Sequence, residues 1–169
     1  FTLLKIKIIS IGNKIEKNVD TLIDSYTKKC SHFFHLEWVQ LKSEKRFDSV
    51  AKKKVLEAEK IIPQIGSSLL VAWDEKGEML TSKNFTLKIS QWSQNFSCIT
   101  FVIGGADGLD KSILKLANVT LSQNIVAYRS VEGYKLMIWK YHILPIFVAL
   151  IVYGLAVLID QYVTYNIFS

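Results

Sequence analysis

The sequence predicts an α/β fold, with a mainly parallel sheet and helices on both faces. Short β-branched or apolar runs alternate, over the first two-thirds of the chain, with stretches whose apolar residues recur at helical spacing. Two runs, Ser67–Trp73 and Cys98–Ile103, are almost continuously apolar, which is typical of strands covered on both faces. The chain has 169 residues, half of them apolar, and only two prolines, which suits one domain with a packed core.

The first half of the chain contains two predicted strands and two predicted helices. Lys5–Ile11 is rich in β-branched residues and predicts the first strand, and His35–Leu41 predicts the second. A helix is predicted between them, and a second helix over the lysine-rich stretch Phe47–Ile62, ended by Pro63 and Gly66. The positions expected to face the core are Val19, Leu22, Ile23 and Tyr26 in the first helix, and Val50, Val55, Ala58 and Ile62 in the second.

The third strand and the third helix follow with a short connection. Ser67–Trp73 is the predicted strand, and Asp74–Gly77 is predicted to be the turn after it. Thr81 or Ser82 is expected to cap the helix, because both hydroxyls suit the position before the first helical turn. The apolar residues that indicate this helix are Phe85, Ile89, Trp92 and Phe96.

The fourth strand ends in two glycines. Cys98–Ile103 runs directly into Gly104 and Gly105, and Asn118–Ser122 predicts a short fifth strand. Between these strands, Asp110 is expected to cap a short helix that ends at Leu116, while Asp107 is expected to serve the preceding turn.

The glycine pair has two interpretations. Ligands of open α/β sheets bind at the carboxyl ends of the strands, and glycine allows a ligand to approach the backbone closely. The alternative is a tight turn from strand to helix that holds no ligand. The stretch from Phe101 to Ser112 is neither G-x-G-x-x-G nor G-x-x-x-x-G-K-[ST], so a Rossmann dinucleotide site and a P-loop are both poorly supported.

The charge is positive and is carried mostly by lysine. The formal net charge is +6, and only Arg46 and Arg129 are arginine among 21 basic residues. The run Lys52, Lys53 and Lys54 suits attraction to phosphate groups, which under the family resemblance given below would be those of an RNA backbone, and the alternative is a solvated helix face. Cys30 and Cys98 are far apart, and the three histidines are scattered, so no metal site is expected. A reducing, cytoplasmic location fits this cysteine usage, and the N-terminal run is too short and too charged for a signal peptide.

Three segments together resemble the RlmH family, whose members are small bacterial SPOUT-class methyltransferases. They are "KIKIISIG", "VAWDEKGEMLTS" and "ITFVIGGADGLDKSILKLANVTLS", and the resemblance covers Lys5 to Ser122. It implies an S-adenosylmethionine-dependent enzyme that methylates N3 of pseudouridine in 23S ribosomal RNA of the ribosome. It also implies a C-terminal trefoil knot around the cofactor, a homodimer and a cytoplasmic location.

The resemblance also implies where S-adenosylmethionine binds. The first contact is Trp73, where the family usually has leucine, and the second is Gly104 with Gly105 beside it. The third is the segment after Ser122, assigned by its order along the chain. That segment comprises Gln123, Asn124, Ile125, Val126, Ala127 and Tyr128. No catalytic base is assigned, although His142 is a weak candidate because Tyr141-His142 is similar to the family's terminal Tyr-His.

The C-terminal segment departs from the family. We treat 1–169 as one methyltransferase-like domain with a family-like core, 1–122, and a divergent apolar segment, 123–169. The usual Pro-His and Tyr-Arg-Ala motifs are missing, and Ile143–Ile159 holds 17 residues without a charge. This stretch has three interpretations: a buried helix at a dimer interface, a membrane anchor, or an altered tail. The alternative functions are therefore an inactive relative that binds RNA or ribosomes, and a membrane-anchored protein.

Overall fold

The computed structural model describes residues 3–12, 21, 23–25, 27–28, 31, 34–44, 49–105 and 107–122. They form a five-stranded sheet in the order β2-β1-β4-β3-β5, in which every neighbouring pair is parallel. The strands are β1 (Leu4–Ile11), β2 (Phe34–Leu41), β3 (Leu69–Met79), β4 (Cys98–Ile103) and β5 (Val119–Ser122), and the helices are α1 (Val50–Ile65), α2 (Ser82–Asn95) and α3 (Lys111–Leu116). Residues 21, 23–25 and 27–28, between β1 and β2, are also helical.

Helices cover both faces of the sheet, which confirms the predicted α/β class. On one face Phe85 and Ile89 of α2 pack with Ile23 on the strand residues, and on the other Ala58 and Ile61 of α1 pack with Ile113 of α3. Strand β4 is buried from both sides, so its run is apolar apart from Thr100, whereas β1 carries the half-buried Lys5 and Lys7 among its apolar residues. Val19, Leu22 and Tyr26 of the first predicted stripe lie outside the described residues, as does the segment 123–169 in which the trefoil knot was expected.

Helix α1 faces the sheet with a different stripe from the predicted one. Ala58 is buried as expected, but the prediction was wrong for Val50, Val55 and Ile62, which are between 40% and 57% exposed. Glu57 and Ile61 are buried in their place. The stripe Glu57, Ala58 and Ile61 has helical spacing, and the glutamate can be buried because its carboxylate is hydrogen-bonded.

The end of α1 lies later than predicted. Pro63 is inside the helix, which continues to Ile65, and Gly66 ends it with a positive φ of 62°. The ammonium of Lys7 in β1 donates a hydrogen bond to the Gln64 carbonyl oxygen at 3.0 Å. A cation at this end satisfies a carbonyl that has no partner within the helix and interacts favourably with the helix dipole.

Strand β3 is longer than predicted. It continues to Met79, so the prediction of a turn that ends the strand at residues 74–77 was wrong. Leu121 of β5 pairs with both Trp73 and Glu78, and residues 74–77 form a bulge between these two pairings. Strand β3 therefore resumes its pairing with β5 after the bulge. The glycine and the charged residues of "DEKG" predicted a turn and did not indicate this bulge.

Two predicted helix caps are confirmed. The Thr81 hydroxyl accepts a hydrogen bond from the Asn84 N–H at 3.2 Å at the start of α2. The Asp110 carboxylate accepts from the N–H and the hydroxyl of Ser112, at 2.8 and 2.7 Å, at the start of α3. Each cap occupies an N–H group that the first helical turn leaves without a partner.

Within the described ranges, no helix is long and apolar enough to cross a membrane. Ile143–Ile159, for which a membrane anchor was one interpretation, lies outside those ranges. Cys98 is a half-buried free thiol at the start of β4, and Cys30 lies outside the described residues.

Candidate active site

The carboxyl ends of β4, β3 and β5 lie side by side at one edge of the sheet. Trp73 of β3 pairs with Ile103 of β4 on one side and with Leu121 of β5 on the other. Gly104 directly follows Ile103, and Ser122 is the last described residue before Gln123. Of the three chain positions predicted to contact the cofactor, Gly104 follows the end of β4 and Trp73 lies next to it, inside β3 and just before the bulge. Residues 123–128, the third position, and His142 lie outside the described residues.

The glycine turn after β4 is folded tightly on itself. The Gly108 N–H donates to the Gly105 carbonyl oxygen at 2.9 Å, and Gly108 has a positive φ of 80°. A β-carbon on Gly104 would lie 2.7 Å from the Gly108 carbonyl carbon and 2.9 Å from the Leu109 nitrogen. Gly104 is therefore required by the turn's own packing, which is the tight-turn interpretation of the sequence.

Gly105 differs from Gly104 in what surrounds it. The nearest atom to a β-carbon at Gly105 would be Cγ2 of Ile11, at 3.4 Å, which is an ordinary contact distance. Gly105 is also half-buried, whereas Gly104 is buried. Of the pair, Gly105 is the residue at which a β-carbon would not meet the turn's own backbone, although its carbonyl oxygen accepts the Gly108 N–H.

Trp73 is held in place by two aromatic side chains. Its ring centroid lies 6.2 Å from that of Phe85 in α2, with the rings inclined at 60°, and 6.4 Å from that of Phe101 in β4. Phe85 and Phe101 also pack on each other, with centroids 6.0 Å apart. These separations are typical of aromatic pairs in protein cores, and they show how the fold accommodates an indole at this position.

The bulge in β3 is fixed against the end of β5. A β-carbon on Gly77 would stand 2.5 Å from the carbonyl oxygen of Leu121 and 2.8 Å from its α-carbon. The Ser122 hydroxyl donates to the Glu75 carbonyl oxygen at 3.1 Å, and Asp74 accepts from the Lys76 N–H at 3.0 Å. The bulge thus determines where the chain leaves β5. Sequence analysis missed this role of Gly77, because the contact depends on pairing with a strand over forty residues away.

The lysine run of α1 lies next to the glycine turn. Lys53 forms an ion pair with Asp107 at 2.6 Å, and Lys54 Nζ would lie 4.0 Å from a β-carbon on Gly108. Lys52 is exposed, whereas Lys53 and Lys54 are half-buried. The hydrogen bond that Lys53 donates to Asp107, with smaller contributions from the charges of Asp107 and Glu57, raises the pKa of Lys53. The three lysines, which were predicted together to contact an RNA backbone, therefore have different surroundings.

Glu57 is a buried acid that sequence analysis did not select. Its side chain is 3% exposed, and Oε1 accepts from the Ser43 hydroxyl at 2.9 Å and the Glu44 N–H at 3.1 Å. Its other oxygen, Oε2, would lie 3.9 Å from a β-carbon on Gly105. Glu57 joins α1 to the segment after β2, beside the glycine turn. Its spacing from Ala58 and Ile61 is helical, but apolar spacing does not select a glutamate, and the hydrogen bonds that allow its burial come from a segment more than ten residues away.

Both aspartates near the turn have structural partners. Asp107 pairs with Lys53, and Asp110 caps α3. The hydrogen bonds from the side chain and the N–H of Ser112 lower the pKa of Asp110 below its ordinary value. The expectation that Asp110 serves as the helix cap is confirmed, whereas the expectation that Asp107 serves the turn stays a prediction, since its carboxylate pairs with Lys53 of α1. No group of three histidine, cysteine or acidic side chains in the described part of the chain could hold a metal ion.

Comparison with known proteins identifies the family. A family model described as "Predicted SPOUT methyltransferase" matches residues 4–128. The chain is also 35% identical over 112 residues to "Ribosomal RNA large subunit methyltransferase H" of Methylobacillus flagellatus, covering 65% of this chain and 72% of that protein. The chain belongs to the RlmH family of SPOUT methyltransferases.

Other RlmH proteins match over a similar length. The protein of the same name from Streptococcus suis is 35% identical over 126 residues, covering 70% of this chain and 79% of its own length. That of Ruminiclostridium cellulolyticum is 33% identical over 134 residues, covering 74% and 83%. Among solved structures, the SpoU methyltransferase AviRb from Streptomyces viridochromogenes matches with a TM-score of 0.41 and 15% identity, covering 96% of this chain and 61% of that one.

Proposed function

We propose that this RlmH-family chain uses S-adenosylmethionine to methylate N3 of pseudouridine in 23S ribosomal RNA. The observation that carries the proposal is the family match over residues 4–128, together with relatives that are named as large-subunit ribosomal RNA methyltransferases. The matched range extends through Gln123–Tyr128, the segment that we assign to the cofactor by its order along the chain.

The residues at the sheet edge fit a nucleoside-bearing cofactor. The ends of β3, β4 and β5 present backbone groups side by side, and open α/β sheets bind nucleotides at such an edge. Gly105 is the half-buried member of the glycine pair, and its lack of a side chain lets a ligand approach the turn closely, while Gly104 shapes that turn. Trp73, which precedes the bulge of β3, and residues 123–128 complete the proposed site.

The proposed contribution of the chain to methyl transfer is orientation. S-adenosylmethionine, when bound, supplies an electrophilic methyl group on a sulfonium. The glycine turn and Trp73 hold the donor side of the site in a fixed position, which favours an in-line approach of the accepting nitrogen. That nitrogen must also lose a proton. Asp107 and Asp110 are engaged by Lys53 and Ser112, so we do not assign the base to either, and His142 stays a weak candidate for it.

The positive charge supports an RNA substrate. The chain carries a formal charge of +6, and Lys52 is exposed at the amino-terminal end of α1, one residue before the Lys53 that pairs with the glycine turn. A lysine that neutralises a phosphate makes affinity fall as salt concentration rises. We further propose that the protein acts as a cytoplasmic homodimer on the ribosome, as the family resemblance implies.

Two measurements test the proposal. Calorimetry with S-adenosylmethionine is expected to show saturable binding, and ribosomes lacking the modification are expected to accept a radiolabelled methyl group from the purified protein. Circular dichroism of the same sample shows whether the protein is folded in both measurements. Absence of both signals would overturn the proposal. Ribosome binding without methyl transfer would instead support the inactive, RNA-binding alternative.

A further inference from the structure

One face of α1 holds the glycine turn at two points. Lys53 and Glu57 are four residues apart, so their side chains emerge from the same side of the helix. Lys53 reaches Asp107 at 2.6 Å, and Glu57 Oε2 lies close to Gly105. The helix is therefore ion-paired with the turn at Asp107 and lies beside it at Gly105.

The ion pair adds an attachment between the turn and α1. Among the described residues of the turn, one backbone hydrogen bond, from the Gly108 N–H to the Gly105 carbonyl oxygen, closes it, and Gly108 has a positive φ that glycine adopts without strain. Lys53 is about one-fifth exposed and Asp107 one-third exposed, so solvent screens their pair only in part. The charge of Glu57, which is buried and bonded to Ser43, also acts on Lys53.

Neighbouring lysines of the same helix have different surroundings. Lys52 is exposed, and within the described residues no ion pair involves its ammonium. Lys53 is occupied by an acid of the turn. A lysine already paired at 2.6 Å is a poor partner for an RNA phosphate, because the phosphate would have to displace the carboxylate first.

We infer that Lys53 is a positioning residue, which sets the affinity for the methyl donor by holding the glycine turn, while Lys52 serves RNA. This inference rests on the proposed function, since it concerns the same turn and the same donor. The inference assigns different roles, holding the turn and binding RNA, to two adjacent lysines that look alike in the sequence.

The test compares Lys53→Met with Lys52→Met, which change the net charge equally. Hydrogen exchange of the Gly108 N–H is expected to be roughly two- to five-fold faster in Lys53→Met, the range that a partly exposed ion pair supports, and unchanged in Lys52→Met. Lys53→Arg, which keeps the charge and a donor, is expected to restore protection. Exchange at the amides of β4 shows whether either variant has loosened the whole fold.

Kinetics provides the second measurement. Lys53→Met is expected to raise the Kd for S-adenosylmethionine by a similar factor and to leave the KM for ribosomal substrate unchanged. Lys52→Met is expected to raise the KM for ribosomal substrate and to leave the Kd for S-adenosylmethionine unchanged. Equal exchange at Gly108 in the two methionine variants would overturn the inference, whether or not the donor binds. If the unsubstituted chain binds no S-adenosylmethionine, the proposed function fails, but the exchange comparison still decides the role of Lys53.

Discussion

Gly77 lies directly against the backbone of Leu121, with no room between them for a side chain. A β-carbon on Gly77 would come within 2.5 Å of the Leu121 carbonyl oxygen and 2.8 Å of its α-carbon. Leu121 is the second-last residue of β5, so the bulge in β3 packs against the end of β5. This contact between two backbones fixes the last described strand against its neighbour.

We expect Gly77→Ala to destabilise the fold by about 1 to 3 kcal/mol, because forcing a methyl group into this contact must move a backbone rather than a flexible side chain. Urea unfolding followed by circular dichroism measures this change, and calorimetry is expected to show weaker binding of S-adenosylmethionine.

Gly12→Ala is the matched control for this substitution. A β-carbon on Gly12 would have its nearest neighbour, a side-chain nitrogen of Gln40, at 3.9 Å. We expect its unfolding midpoint to stay close to that of the unsubstituted chain. Equal midpoints for the two alanine variants would show that the Gly77 contact does not constrain β5.

The two glycines of the turn are expected to respond differently to alanine. In Gly104→Ala the new methyl group would meet backbone atoms at 2.7 and 2.9 Å, so the turn must open, at a cost of about 1 to 3 kcal/mol. In Gly105→Ala the nearest atom is 3.4 Å away, so we expect stability within about 0.5 kcal/mol of the original, as for substitutions away from tight packing.

Calorimetry then separates folding from binding at the turn. A stable Gly105→Ala variant with weakened S-adenosylmethionine affinity would support the assignment of Gly105 as the backbone that the donor approaches. Unchanged affinity in that variant would remove Gly105 from the proposed site and leave Gly104 with a purely architectural role.

The strands were predictable because their sequence pattern reports burial directly. Cys98–Ile103 was predicted to the residue, since a strand covered on both faces must be apolar throughout and ends where glycine begins. Helix caps were equally local: Thr81 and Asp110 bond N–H groups two or three residues ahead, within reach of the sequence alone.

The inward face of α1 was not predictable from apolar spacing, because a charged residue belongs to it. The prediction took Val55 and Ile62 as buried, which shifts the inward face by about one residue along the helix. Both side chains are exposed. Glu57 takes an inward position only because Ser43 and Glu44 bond its carboxylate, and that segment is over ten residues away. Long-range contacts of this kind also explain why Gly77 was missed.

Variants of Glu57 test whether hydrogen bonding or charge maintains the contact between α1 and the segment after β2. Glu57→Gln keeps an oxygen that can accept from the Ser43 hydroxyl and the Glu44 N–H, so we expect a small change in stability. Glu57→Ala removes both acceptors and leaves a cavity, and we expect a loss of about 2 to 4 kcal/mol. Urea unfolding of the two variants measures the difference, and equal losses would show that the carboxylate charge, rather than its bonds, is what matters.

Acid sensitivity should depend in part on Asp110. Hydrogen bonds from Ser112 lower its pKa below the ordinary value of 3.8, so the folded state holds this carboxylate ionised more strongly than the unfolded state does. The stabilisation is therefore fully present above about pH 5 and is lost as the pH falls below 3.8 toward the folded pKa. Glu37, whose pKa is lowered by the hydrogen bond from Lys5, contributes in the same direction.

We expect Asp110→Asn to reduce the slope of unfolding free energy against pH between about pH 5 and pH 2, while stability at pH 7 falls little, because asparagine caps helices about as well as aspartate. Asp110→Ala loses the cap itself and should cost about 1 kcal/mol at pH 7. Thermal unfolding at a series of pH values measures both effects. An acid slope in Asp110→Asn as steep as in the original chain would mean that the Ser112 bonds do not favour the ionised carboxylate, and that other acids, such as Glu37, set the acid limit.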